Sequence, residues 1–509
     1  MIEKASIKTT KKSDGTLAFL LALALYMFSP FTLISTMGNM ISDTAIQIRI
    51  GLDSIASGHL ILDEIYSWHP DLIFTAHEAG WYVLLGAAYK TLGIAGVIIV
   101  GAIFTYVTAF FCIKHSHKVA NPFVGAIVMV LVPFMGGYPD YSVRPSCVSL
   151  CALAIFVYVY FGEFKDKAKY ITFVVCCFAL GWLHGGILPA FAAVMLLLAA
   201  IEAIYRNFKE MLWCLGSLVA GFLVSLLNPI GIRVWTFGLK QSAASDVWAF
   251  VDEWNPKTFT ILEAVLILLL LIGFMVDDRV KKFEKRTITK LAIMCMFFVA
   301  TCVYKRFMLQ FSVMYLMIAP EELTLLVGWI NENLTKIKKK PAISSRIYSL
   351  LAIICVLFTG VSGFLRSTEY FHYNSMQDIE IMMAYDHDII GFIKAKGYER
   401  PFNSFNTGSW LAFSGVPVHI DNRIDPYMSE YSGVDHIRGK IDVGSLDELD
   451  YIRSEYDCDA YILEVPAGYS YLVYEIETYA PDRYRVVYDN TVTSGDGNTS
   501  RRWLIIEPC

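Results

Sequence analysis

The chain has 509 residues, of which 56% are apolar and 17% charged, with a net charge of −5. A soluble globular chain carries about 45–50% apolar and about 25% charged residues, so an ordinary soluble domain is excluded as a description of the whole. No basic tract interleaved with aromatics is present, which argues against a nucleic-acid partner.

The apolar excess lies before Arg366, in blocks long enough to cross roughly 30 Å of hydrocarbon as helix. Lys8, Lys11 and Lys12 precede the first block, Leu17–Thr36. The layout resembles a signal peptide, but the stretch is too long for one and no small-residue cleavage site follows. It therefore reads as an uncleaved first span. Spans are expected at 17–37, 94–113, 121–136, 146–162, 169–184, 187–204, 211–228, 259–276, 287–303, 308–329 and 347–365, about eleven in all. A further apolar stretch, Gly80–Gly93, is short and contains Lys90, so it reads as an interfacial or half-inserted helix. Residues 43–57 form an amphipathic pattern with Ile46, Ile50 and Ile55 on one side, as in a helix lying along a membrane surface.

Basic residues orient the spans. The loops on the N-terminal side hold 22 Lys and Arg, and the opposite, longer set holds 8. The positive-inside rule then places the N-terminus in the cytoplasm and residues 366–509 outside. The expectation is an α-helical polytopic membrane protein with a C-terminal extracytoplasmic α/β domain. It divides into 1–365, with a large first outer loop at 38–93, and 366–509. In the tail, Asp388–Lys396, Ser445–Tyr456 and Tyr469–Tyr479 read as helices. Pro417–Ile420, Ala460–Leu463, Arg485–Tyr488 and Arg502–Ile506 read as strands. Most of the 11 cysteines sit inside apolar blocks and behave as small hydrophobes. No Cys/His cluster has zinc spacing. Cys458 and Cys509, the two in the tail, could pair in an oxidising compartment.

With this topology the unusual polar residues gather at the outer face. The first outer loop carries Asp43, Asp63, Glu64, His77 and Glu78. Arg144-Pro145, His184-Gly185-Gly186, Asn228-Pro229, Glu253-Trp254 and Lys305-Arg306 each fall where a span meets that surface. Ionisable groups near hydrocarbon are costly and mark working cavities, so one polar pocket is expected there. Individually they have plainer readings. Asn228-Pro229 ends a helix as readily as it binds a ligand, His184 could be structural, Lys305-Arg306 could hold lipid headgroups, and Asp43 could cap the helix it begins. In the tail, Asp421, Arg423 and Asp425 cluster in one loop. They could face the pocket or could simply fix a turn.

These residues resemble the GT-C class of membrane glycosyltransferases, and in particular a group of bacterial glycosyltransferase-like multi-span proteins. Asp43, Gly51, Asp63, EIYSW (64–68) and HEAGW (77–81) follow the group's order through the first loop. Arg144-Pro145, LHGG (183–186), LNPIG (227–231), EWNP (253–256) and IDNRIDPY (420–427) follow it further on. The group often places aromatic and His residues after the first Asp, where this chain has Thr44-Ala45-Ile46-Gln47. Ala79-Gly80 also separate His-Glu from Trp81. These departures bear on the donor more than on the class.

The resemblance implies an inverting transfer of a sugar from a polyprenyl-phosphate donor to an extracytoplasmic glycan, lipid or protein acceptor. Such a transfer needs a carboxylate near the acceptor hydroxyl and cations near the departing phosphate. Asp43 would be the base, with Glu78 or His77 orienting it or the acceptor. Arg144, Lys305 and Arg306 would hold the phosphate. Asp63, His184, Asn228, Glu253, Asp421, Arg423 and Asp425 would line the pocket or the acceptor site. The carboxylates leave room for a divalent metal, although no spacing demands one. The competing readings are a lipid-linked oligosaccharide polymerase or ligase, and a non-catalytic transporter or scaffold for envelope polysaccharide. A secondary transporter would show matched halves with broken spans, and neither is visible in the sequence.

Overall fold

The structure, a computed structural model, describes residues 40–132, 143–243, 254–338, 375–466, 471–495 and 497–509. The expected spans at 17–37 and 347–365 lie outside these. The other nine coincide with helices. In chain order the helices of the first part are α1 (Asp43–Ser57), α2 (Ala79–Val119), α3 (Pro122–Leu131), α4 (Ser146–Phe161), α5 (Asp166–Leu183), α6 (Leu188–Ile204), α7 (Phe208–Ser225), α8 (Arg233–Ala243), α9 (Ile261–Val276), α10 (Lys285–Val303) and α11 (Met308–Lys338). Among the described residues, five helical segments are long and apolar enough to cross a membrane by themselves, with α4 and α9 shorter apolar helices. Among the described residues, the spans expected at 146–162 and 259–276 are thus helices of 16 residues each. Periodicity and hydropathy mark such helices as apolar without fixing their length.

Helix α2 is broken at Gly93, whose φ of 62° and ψ of −148° suit glycine alone. The break separates the stretch before it from the span that follows, so Gly80–Gly93 is a distinct piece of backbone. Helix α1 forms where the amphipathic pattern predicted it. However, Thr44, Ala45, Ile46, Gln47 and Ile48 are all buried, because α2 packs on one side and a tail helix on another. Its first half is thus packed between α2 and the tail, while Leu52, Asp53 and Ile55 are half-buried and Ala56 and Ser57 exposed. Contact between α1 and α2 is backbone to backbone. A Cβ on Gly51 would lie 1.9 Å from the Tyr82 carbonyl oxygen, and one on Gly86 would lie 2.4 Å from the Gly51 carbonyl carbon. Gly51→Ala is expected to lower stability by about 1–3 kcal/mol, the usual scale of overpacking. An unchanged unfolding midpoint in detergent would show that the helices do not cross this closely.

Sequence reasoning passed over one buried group of charges. Lys290 on α10 pairs with Glu321 on α11, and Arg279 bonds Asp277 at 2.9 Å and Glu321 at 2.5 Å. Glu321 lies about 15 residues along α11 from Arg306, so this cluster is roughly 22 Å from that end of the helix. It is a tie between helices, remote from the cavity described below.

The tail begins with α12 (Met376–Met382) and α13 (His387–Lys396), followed by β1 (Pro401–Asn403) and α14 (Phe405–Phe413). It continues through α15 (Leu446–Glu455), β2 (Ala460–Pro466), α16 (Tyr471–Tyr479), β3 (Tyr484–Thr493) and β4 (Ser500–Pro508). The sheet order is β1-β2-β4-β3, parallel between β1 and β2 and antiparallel elsewhere. Side chains alternate across it. Ala460, Ile462, Trp503 and Ile505 join a core continuous with the helices of the first part, whereas Tyr461, Leu463, Leu504 and Ile506 face a second core with α15 and α16. One face of the sheet therefore looks toward the helical part, and α14 docks on α1. Three expected strands appear, but Pro417–Ile420 does not join the sheet. Val418 instead pairs with Ser67 of the loop between α1 and α2, with Val418 N donating to Tyr66 O at 3.0 Å and Trp68 N to Val418 O at 3.2 Å. The disulfide is not formed either. Cys458 is buried in the second core while Cys509 ends exposed beyond β4, and both are free.

Histidines fill the seam between loop and tail. His69 Nε2 and His419 Nδ1 are 2.8 Å apart, and His436 stacks on His69 with ring centroids 3.8 Å apart. Burial, with His436 and Lys440 nearby, pushes His69 down to about 3. Burial and Lys440 push His436 down to about 4. These rings are neutral when folded, whereas an unfolded histidine titrates near 6.5. Their contribution is full above that value and is lost as pH falls from about 6.5 through 4 and 3. Acid should therefore lower the unfolding free energy, by up to about 1.4 kcal/mol per pH unit for each ring, and the unfolding midpoint with it. A His69→Gln, His436→Gln protein should respond less steeply, and an identical pH slope would refute the assignment.

Candidate active site

A cavity of about 210 Å³ opens where the helix ends, the loop that follows α1 and the tail meet. A second compartment of about 150 Å³ adjoins it. Asp43, Gln47, Glu78, Arg144 and Arg306 line both and so form their common wall. They come from four different helix beginnings. Asp43 and Gln47 occupy the first turns of α1, Glu78 immediately precedes α2, Arg144 precedes α4, and Arg306 lies in the turn Lys305–Phe307 that leads into α11. The Asp43 carboxylate pairs with Arg144. Ser42 is the N-cap of α1 and makes no side-chain capping bond.

Glu78 is held from several directions. Gln47 Nε2 donates to its Oε2 at 3.2 Å, and Trp81 Nε1 fixes Gln47 by donating to its Oε1 at 3.0 Å. His77 Nε2 is 3.3 Å from Glu78 Oε1, and His184 Nε2 is 4.0 Å from the same oxygen. His77 Nδ1 lies 2.9 Å from the Thr75 carbonyl, which can only accept. With a carboxylate at its other nitrogen, His77 faces an acceptor on both sides, an arrangement that favours its charged form. Burial opposes that charge, but Glu78 and its hydrogen bond, with Asp425 beyond, hold His77 above its ordinary range. Burial likewise works against ionised Glu78, and His77, His184 and Arg306 outweigh it and hold its carboxyl low. Phe237 stacks on the His77 ring at 3.7 Å. Gly185 donates from its N to the His77 carbonyl at 3.0 Å, and a Cβ there would strike Val234 at 2.0 Å, which accounts for a glycine after His184.

The tail loop closes the larger compartment. Arg423 is clamped between Glu64, at 2.6 Å, and Asp421, at 2.9 Å from its Nε, while the Tyr427 hydroxyl donates to Asp421 at 2.8 Å. The side chains of Arg423, Glu64 and Asp421 are 6%, 2% and 0% exposed. Ile424 has a φ of 64°, an outlier for a β-branched residue. This strained turn accompanies Asn422, Arg423, Ile424 and Asp425 onto the cavity wall. Burial pushes Asp425 up to about 7, against the opposing pull of His77 and Arg423.

Of the residues expected in a pocket, Asp43, His77, Glu78, Arg144, Arg306, Arg423 and Asp425 line the larger compartment, and His184 lines the smaller. The others do not. Asp63 is exposed, and its neighbour Glu64 makes the contact to the tail. Asn228 ends a helix: its Oδ1 accepts from Ile230 N at 2.8 Å and its Nδ2 donates to Ser225 O at 2.6 Å. Lys305 begins the turn before α11 and does not line either compartment, while Asp421 is buried behind Arg423. Glu253 lies outside the described residues. Its neighbour Trp254 lines the cavity, with the Arg306 guanidinium 4.3 Å above its ring. Gln47, Gln310 and Asn422 also line the compartments and were missed. A neutral amide has no sequence signal that separates it from an ordinary loop or helix residue.

Asp43 and Glu78 are the shared carboxylates that could hold a divalent cation. Both are already engaged by the neighbours named above, and among the described residues no group of three or more His, Cys, Asp or Glu is arranged to hold one.

No protein-family model matches the sequence, and no curated protein is significantly similar to it. Solved structures are. The Archaeoglobus fulgidus oligosaccharyltransferase in its apo form has 12% identity and a TM-score of 0.55, covering 92% of this chain and 70% of its own. The same archaeal enzyme, AglB, in complex with an inhibitory peptide and a dolichol-phosphate has 12% identity and a TM-score of 0.57, covering 98% and 74%. A form tethered to an acceptor peptide containing the NVT sequon has 12% identity and a TM-score of 0.55, covering 96% and 74%. The chain has an oligosaccharyltransferase-like, GT-C fold. Within that fold, the cavity stands where the helical part meets the C-terminal tail.

Proposed function

We propose that this chain is an inverting membrane glycosyltransferase that moves a sugar from a polyprenyl-phosphate-linked donor to an acceptor outside the cytoplasm. The observation that carries the reading is the common wall of the two compartments, where Asp43 and Glu78 meet Arg144 and Arg306. A similar fold binding a dolichol-phosphate in AglB supports a polyprenyl-phosphate donor. Asp43 takes the proton of the acceptor hydroxyl as its oxygen attacks the anomeric carbon. The bond from that carbon to the phosphate oxygen breaks, and the electron pair leaves with the phosphate. Arg144 and Arg306 stabilise the phosphate as its charge grows, and Arg suits it through paired donors. His77 and Gln47 hold Glu78 in place, where it orients the acceptor. Residues 1–365 form the membrane part and 366–509 the outer domain, whose 421–425 loop closes the site.

Transfer of labelled sugar by the purified full-length chain, from a short-chain polyprenyl-phosphate donor, tests the activity. A protein that neither binds nor consumes such donors would not be this enzyme. Sidedness is tested separately by a reporter that is active only outside the cytoplasm, fused after Cys509. It is expected to be active, and an inactive fusion would place the cavity on the wrong face.

A further inference from the structure

Neither the base nor the phosphate-holding cations account for the tail wall of the larger compartment. Asn422 lines that wall, and its Oδ1 is buried with no hydrogen-bond partner. Buried polar atoms are nearly always satisfied, so such an oxygen invites a donor from a ligand. Asp425, three residues on, is 2% exposed and its Oδ2 accepts from Thr75 N at 3.3 Å. The strained backbone at Ile424 separates the two, and such strain gathers at sites that hold ligands. Phe237 and Trp254 line the same space, so hydrogen-bonding groups and aromatic rings enclose it together. That mixture matches a pyranose, which has hydroxyls around its edge and C–H bonds on its faces. At about 210 Å³ the compartment is smaller than the roughly 300–1,000 Å³ of sites for larger ligands. The cation of the tail wall, Arg423, is already clamped by Glu64 and Asp421, so that wall offers no counter-charge for the carboxylate of an acidic sugar.

We propose that the larger compartment is a subsite for one neutral sugar ring, whose hydroxyls are read by Asn422 and Asp425 of the tail. The proposal rests on the glycosyltransferase reading and adds to it which sugars are taken and by which residues. The test measures binding to the full-length protein in nanodiscs. Its probes are bare short-chain polyprenyl phosphate and the same lipid carrying one neutral hexose, one uronic acid, or, through a diphosphate, an oligosaccharide. The neutral hexose is expected to tighten binding about 10-fold or more over the bare lipid, the scale of one or two well-placed hydrogen bonds. Asn422→Ala and Asp425→Asn should each remove most of that gain. Equal binding of bare and hexosylated lipid by the wild type overturns the proposal, as does an undiminished gain in both variants. An equal gain from the uronic acid or the oligosaccharide also overturns it. Failure to bind even the bare lipid is a different result, because it removes the glycosyltransferase reading itself.

Discussion

Asp43→Asn is expected to fold and insert normally while sugar transfer falls about 100-fold or more, the scale of a positioned general base. The substitution keeps size and removes the basic carboxylate. Its effect on stability should be small for two reasons. Ser42, the N-cap, makes no side-chain capping bond, so the first turn of α1 does not depend on such a cap. The Asp43–Arg144 pair is partly exposed, with side chains 25% and 30% accessible, and pairs of this kind contribute about 0–1 kcal/mol. A 100-fold loss of rate corresponds to about 2.7 kcal/mol of barrier. Rate should therefore drop far more than stability. The measurement is single-turnover transfer from a polyprenyl-phosphate sugar, alongside a thermal unfolding curve. Near-normal transfer by the folded variant would falsify the role of Asp43 and leave Glu78 as the next candidate base.

Arg423→Ala should act in the opposite way, through structure first. Removing one partner from a buried ion network costs about 3–5 kcal/mol, because the remaining charges lose their counter-ion without regaining water. Here Glu64 and Asp421 would both be left, one on the loop between α1 and α2 and one in the tail. The seam at Ser67 and Val418 should weaken with them, and the 421–425 loop should leave the cavity. Arg438 is the contrast. Its pairs with Glu430 and Asp435 are about a third exposed, and Arg438→Ala should cost about 0–1 kcal/mol. Unfolding midpoints and limited proteolysis of the tail measure both. A loss below about 1 kcal/mol for Arg423→Ala would mean that the network does not hold the loop.

The comparison of Asp63 with Glu64 shows what was legible in the sequence. Both are acids in one loop, and nothing local separates them. Only the fold turns Glu64 inward to Arg423, 359 positions away, and leaves Asp63 in solvent. Val418 gives the same lesson. Its β pattern was readable, but its partner Ser67 came from another part of the chain, since an extended segment offers its backbone to whichever edge the fold brings near. Gln47, Gln310 and Asn422 became site residues only through packing, because an amide carries no charge or spacing to mark it. By itself the sequence determined the apolar helices, the amphipathic α1, three helices and three strands of the tail (though not Met376–Met382, Phe405–Phe413 or β1), and the gathering of Asp43, His77, Glu78, Arg144, His184 and Arg306. Those follow from periodicity, from turn residues and from the cost of charge near hydrocarbon, all of which act locally. Tertiary structure decided how long each helix runs, that the first half of α1 is packed between α2 and the tail, that the tail loop forms one wall of the cavity, and that Cys458 and Cys509 stay apart. Each depends on which distant surfaces meet, and that is set by the packing of the whole chain.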